Sequence, residues 1–206
     1  KLIKQNPDKP QYMIALGRVY QESGRAAEAN QVYLEVINNV PKDENKIRQI
    51  ANDFYRFEAY DLAVDVFLKG RKTLADDQLF AFDLLSIYRY KKNKPMLIQE
   101  YLNVLATLPQ MLPQAQNAFA SVFEDNTDYQ LLQLALFKKI QKEPQLEVFT
   151  EMLIWQFIQQ KEYELALRQL IAQDKRTNGN GITLYNTANT FIANKAYTTA
   201  IKAYEY

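Results

Sequence analysis

The sequence predicts an all-α fold of stacked helix–turn–helix hairpins, an α-solenoid, and three observations carry that prediction. Aromatic residues recur every 34 residues as Tyr20, Phe54 and Tyr88, and, after one interval of 35, as Phe123, Phe157 and Phe191. A second series runs beside it: Ala29, Ala63, Leu97, Leu132, Ala166 and Ala200. The chain holds only 5 Gly and 7 Pro in 206 residues, which suits long helices better than many tight β-turns. A helical hairpin of this length buries too little apolar surface to fold alone. Copies stacked on one another solve that problem.

Each unit can be read in order. Residues 10–43 open with Gly17-x-x-Tyr20, turn near Gly24, continue with Ala29-x-x-x-Tyr33 and exit at Pro41. Small residues at Gly17 and Ala29 let two helices approach, and the aromatics fill the space between helices and between units. Pro41 ends the second helix. Residues 44–77 repeat the pattern with Ala51, Phe54, Ala63 and Phe67. Residues 78–112 keep Tyr88 and Tyr101 but place Leu85 and Leu97 at the small positions. Residues 113–146 carry Phe123 and Leu132. Their acidic stretch from Glu124 to Asp128 lacks the Gly and the distal Glu of a calcium loop and reads as a turn that caps the next helix. Residues 147–180 have Ile154 in the Gly position, with Phe157 and Ala166. Gly179 to Gly181 lacks a preceding strand and a third Gly, so it reads as a helix stop and start rather than a dinucleotide loop. Residues 181–206 form a partial unit with Ala188, Phe191, Ala200 and Tyr204. A partial unit over 1–9 is expected to end an incoming helix at Leu2, Ile3 and Pro7. The whole chain, 1–206, is thus read as one array. It starts without Met and has no polar capping helix at either end, so it is expected to be a fragment of a longer one. The larger residues in units three to five are expected to push paired helices apart near the extra residue.

The pattern Leu16-Gly17-x-x-Tyr20, Ala29-x-x-x-Tyr33, Pro41 resembles the tetratricopeptide repeat family, with Met13 in place of the leading Trp. The resemblance spans nearly the whole chain and is strongest in units one, two and six. It implies a right-handed α/α superhelix and a non-enzymatic scaffold that binds a protein or peptide in a concave groove lined by the first helix of each unit. Carried onto this sequence, the groove positions include Arg18, Arg48, Asn52, Tyr55, Arg56, Phe82, Arg89, Tyr90 and Trp155. Arginine forks pair with carboxylates and aromatic faces take apolar side chains, so the set suits an acidic partner with apolar residues. A solvated face with internal ion pairs is the competing reading of the same residues. For Trp155 the alternative is a wedge between the fifth and sixth units. A two-carboxylate clamp known in the family is not carried over. Arg48 and Asn52 resemble its first half, but Asp83 stands where Asn is required and would repel the ligand. A self-assembling repeat module without a peptide ligand is the alternative function. The resemblance extends to long bacterial repeat proteins, many of them exported; this leans to an exported or periplasmic setting, and the cytoplasm fits as well.

Composition bounds the rest. The chain is 48% hydrophobic and 24% charged, in the range of folded proteins. A net charge of +1 supplies no global field toward nucleic acid or anionic membrane, and Glu124, Asp125 and Glu151 interrupt any basic track. With neither Cys nor His, the chain has no disulfide, no thiolate or imidazole metal site and no histidine base. No catalytic, cofactor or metal residues are assigned, and no apolar run is long enough to insert into a membrane.

Overall fold

The structure is a computed structural model that describes residues 9–206. Leu2, Ile3 and Pro7 lie outside the described residues. Among those described, twelve α-helices and one short 3-10 turn are present, with no strand. They fall into two compact units, the division lying after Ile87.

The first unit holds α1 (Pro10–Glu22), α2 (Ala26–Asn38), α3 (Glu44–Arg56), α4 (Tyr60–Leu74) and the start of α5 (Ala81–Tyr90). Helices α1 and α2 pair closely, as do α3 and α4. Gly17 explains the first pairing, because a Cβ there would overlap the Tyr33 ring. Tyr33 in turn meets Phe54 edge to face at 5.4 Å, which joins the first hairpin to the second. Phe67 meets Phe80 at 5.1 Å with the two rings tilted by 35°. Asp43 starts α3 by accepting the Lys46 N–H at 2.9 Å. Gly17→Val is expected to destabilise the protein by about 2 kcal/mol through this overlap. A thermal melt checks it, and an unchanged Tm would show that Tyr33 moves aside freely.

The second unit holds the rest of α5, then α6 (Lys94–Thr107), the 3-10 turn Pro109–Met111, α7 (Leu112–Val122), α8 (Asn126–Lys142), α9 (Glu147–Gln159), α10 (Tyr163–Thr177), α11 (Ile182–Ala193) and α12 (Tyr197–Glu205). Here α9 pairs with α10 and α11 with α12, while α8 lies against α6 and α9 rather than alongside α7.

One backbone turn recurs through the chain. The N–H groups of Arg25, Ala59, Asn93, Glu162 and Ala196 donate to the carbonyls of Tyr20, Phe54, Tyr88, Phe157 and Phe191, at 2.8 to 3.1 Å. The residue before each donor is left-handed: Gly24, Glu58, Lys92, Lys161 and Lys195 all have φ between 51° and 79°. This is the helix stop in which a left-handed residue lets the chain reach back to the last turn. Its acceptors are five members of the aromatic series. The 34-residue period is therefore written in the backbone as well as in the side chains. Glycine at position 24 adopts the strained φ without cost, while the other four turns tolerate it with a side chain.

Phe123 is the exception. It lies beyond the end of α7 in extended backbone, with φ −73° and ψ 133°. No left-handed residue follows. The buried aromatic of α7 is Phe119, and Phe123 stacks on it at 5.1 Å while remaining half-buried. Tyr101 packs against Phe119 at 5.3 Å. The core placement expected for Phe123 thus passes to Phe119, one turn earlier. Helix α7 starts at Leu112, which continues the strict spacing of Pro10 and Glu44. The extra residue therefore falls between Val122 and the buried Leu132, across the α7–α8 turn and the first turns of α8, not before residue 113. Tyr20 also departs from full burial: it is half-buried, with the Arg25 guanidinium 4.4 Å above its ring. Phe54, Tyr88, Phe157 and Phe191 are buried, as are all six members of the Ala29 series. The expected separation of paired helices is seen for α7 and α8, but α9 and α10 stay paired despite Ile154.

The acidic turn does what its sequence suggests. Asp125 accepts the N–H groups of Thr127 and Asp128, and Asp128 reaches back to the N–H of Asp125, a reciprocal cap. Lys94 then donates to Asp128 at 2.7 Å and to Glu124 at 3.3 Å, and Lys92 donates to Glu124 at 2.8 Å.

Candidate functional site

Whereas α9 is buried over most of its circumference, on α1, α3 and α5 the core stripe leaves the opposite side of the helix open. In the first unit that side carries Arg18 on α1, Arg48, Asn52, Tyr55 and Arg56 on α3, and Phe82 on α5. Two contacts show how the helices share it. The Arg18 guanidinium lies 4.7 Å over the Phe57 ring at the end of α3. Arg48 donates from Nη2 to Asp83 of α5 at 3.1 Å and from Nη1 to Glu44 at 3.0 Å.

Those contacts divide the arginines. Arg48 has carboxylates on both sides and Phe80 beneath it at 5.3 Å. The Asp83 carboxylate, and then Glu44, raise its pKa further above its ordinary value and outweigh partial burial. An incoming carboxylate would have to displace one of these groups. Arg18 is held by Glu22 at 2.7 Å. Arg56 is different: its ion contact among the described residues, to Asp53, is 3.9 Å long, and its side chain is 79% exposed. Exposed ion pairs of this kind contribute about 0–1 kcal/mol, so Arg56 can change partner at little cost.

The aromatic members stay accessible. Phe82 is 55% exposed, and Tyr55 is exposed with its edge against Tyr60 at 5.0 Å. Asn52 is exposed three residues before Tyr55. The site of the first unit is thus two accessible rings, one loosely held guanidinium and one amide. The rings can take apolar side chains, and the guanidinium a carboxylate or carbonyl. Phe57 is the residue that sequence spacing missed. It follows the last periodic position of α3, and only its exposed ring, covered by Arg18, marks it.

The remaining positions belong to the second unit. Arg89 donates to Ser121 Oγ at 3.2 Å, and Tyr90 is exposed at the end of α5. Trp155 is half-buried on α9, beside the fully or nearly buried Leu153, Ile154 and Phe157. Its ring partner is Tyr129 of α8 at 6.4 Å, so its aromatic contact faces residues 113–146 and not the sixth unit.

Among the described residues no three carboxylate, thiol or imidazole side chains gather as metal ligands, and no helix is long and apolar enough to cross a membrane. Compared with known proteins, the sequence matches no family model and no curated protein.

Proposed function

We propose that this chain is a non-enzymatic interaction scaffold, a right-handed solenoid of tetratricopeptide type, whose first-helix surface binds a protein or peptide. The observation that carries the reading is the exposure of Tyr55, Arg56 and Phe82 beside a fully packed core stripe. Large rings held by two χ angles contribute much contact area for little lost entropy, which is why Tyr and Arg dominate binding surfaces. A rigid helical platform also loses little ordering entropy on binding. The partner we infer presents an apolar side chain next to an acidic one. Arg56 meets the carboxylate; Arg48 ties α3 to α5 through Asp83, and Arg18 is engaged by Glu22 within α1.

The test compares the parent chain with a Tyr55→Ala, Arg56→Glu, Phe82→Ala variant, each immobilised and exposed to extract from the protein's own cells. All three side chains lie off the core, so the variant is expected to keep its helical circular dichroism. Partners held by the parent should fall about tenfold in the variant, as expected for loss of one strong contact cluster. Equal recovery would overturn the reading.

A second reading, self-assembly without a peptide ligand, rests on α11 and α12. Ile182, Tyr185 and Tyr204 are exposed around one hollow beside Gly181. If this face stacks on another copy, the mass seen by light scattering rises with concentration, and Tyr185→Asp prevents the rise. A constant monomer mass in the parent excludes it.

A further inference from the structure

In the second unit, α6 and α8 leave an open groove of about 570 Å³ between them. We propose that this groove binds the apolar face of an acidic amphipathic helix from a partner protein. It lies on second helices, and it goes beyond the first-helix surface proposed above.

Both walls are helical stripes. Pro95, Ile98 and Leu102 line one wall from α6, and Leu131 and Leu134 line the other from α8. Spacings of three, four and seven residues place each set on a single helix face. Farther along α8 the lining changes character to Lys138, Lys139 and Lys142, and among the described residues no carboxylate lines the groove. Lys139 is held by Glu143 at 3.4 Å and lies 5.6 Å over the Phe149 ring. Lys138 and Lys142 have no ion-pair partner among the described residues. The surface therefore runs from apolar to positively charged along one axis.

That gradient selects the occupant. An extended peptide laid here would place its backbone N–H and C=O groups against leucines with no strand edge to pair with, which costs roughly 1–3 kcal/mol per group. A helix satisfies those groups internally and offers only side chains. From Leu131 to Lys142 the stripe covers about three turns, roughly 17 Å. The matching partner helix has leucine-like residues over about two turns, with Asp or Glu in the turn that meets Lys138 and Lys142. Pairing there adds rate and orientation, while burial of Leu131 and Leu134 adds affinity.

The experiment uses the full chain and two dye-labelled synthetic helices of about four turns. Both carry Leu at positions i, i+3, i+4 and i+7; one has Glu at its remaining polar positions and the other has Lys. Fluorescence anisotropy is expected to show the Glu helix binding at least about tenfold tighter, with affinity falling as salt rises. The Lys138→Glu, Lys142→Glu double variant should reverse the preference, and Leu134→Asp should weaken both helices. All three positions are exposed, so circular dichroism should stay at the parent value. Equal affinity for the two helices, or an unchanged constant in the double variant, overturns the proposal. A concentration-dependent dimer of the free chain that Leu134→Asp abolishes assigns the groove to a second copy and overturns it too.

Discussion

Phe119→Ala is expected to lower the unfolding free energy by about 3–5 kcal/mol, whereas Phe123→Ala is expected to cost about 1 kcal/mol. The contrast follows from burial. Phe119 is 0% exposed and is clasped by Tyr101 and Phe123, at 5.3 and 5.1 Å. Removing its ring leaves a cavity that helices on both sides would have to close. Phe123 sits past the helix end, half-buried, with Tyr129 edge-on at 5.1 Å. Truncating it opens a surface notch that water can fill. Urea unfolding followed by circular dichroism measures both, with the loss read in the transition that includes α7. If Phe123→Ala proves the costlier change, Phe123 holds the core position and the extra residue lies before α7 after all.

This contrast also shows why the fourth unit was hard to read from sequence. Phe119 and Phe123 are one helical turn apart, so each fits an apolar stripe of period 3.6. Spacing alone favours Phe123, because it continues the series to Phe157 and Phe191. What decides otherwise is the turn. Five turns end in a left-handed residue before the next helix, and the stretch Glu124 to Asp128 ends in a carboxylate cap instead. The cap was legible, but its consequence for the register was not. The small-residue series was more legible, since Ala29, Ala63, Leu97, Leu132, Ala166 and Ala200 are all buried. Their role is set by close helix contact, which tolerates little besides a fitted apolar side chain.

The candidate surface was legible only as a set of residue types. Helical spacing separates core from exterior, so the exposure of Tyr55, Arg56 and Phe82 follows from their register. Charge pairing across helices does not follow from register in the same way. Arg48 and Asp83 are 35 residues apart, and only their approach in space shows that the guanidinium is already engaged. The groove between α6 and α8 lies on second helices, away from the first-helix positions that the repeat pattern marks. Its signal is nonetheless in the sequence, as Leu131, Leu134, Lys138 and Lys142 on one stripe of a helix.

Asp128→Ala is expected to destabilise the protein by about 3 kcal/mol, since it removes hydrogen bonds to a largely buried carboxylate. The Asp128 side chain is 8% exposed and accepts from the Glu124 N–H at 2.8 Å and from Lys94 at 2.7 Å. Burial pushes this carboxyl up, but the Glu124 N–H and the Lys94 ammonium more than offset it, and its pKa lies below the ordinary 3.8. A depressed carboxyl stabilises the fold above its unfolded pKa, and that contribution is lost as pH falls through the folded value. Lys94 titrates at the other end: Asp128 raises its pKa above the ordinary 10.5, so its contribution is present through neutral pH and lost only in strong alkali. Asp128→Asn separates charge from shape. The stability gap between parent and Asn variant should be widest near neutral pH and should narrow as pH falls below the ordinary carboxyl value of 3.8 toward the lower folded one. A gap that stays constant between those conditions would mean that Asp128 acts through packing alone. A narrowing gap assigns the turn to an ionised cap, the device that replaces the left-handed stop at the one place where the repeat gains a residue.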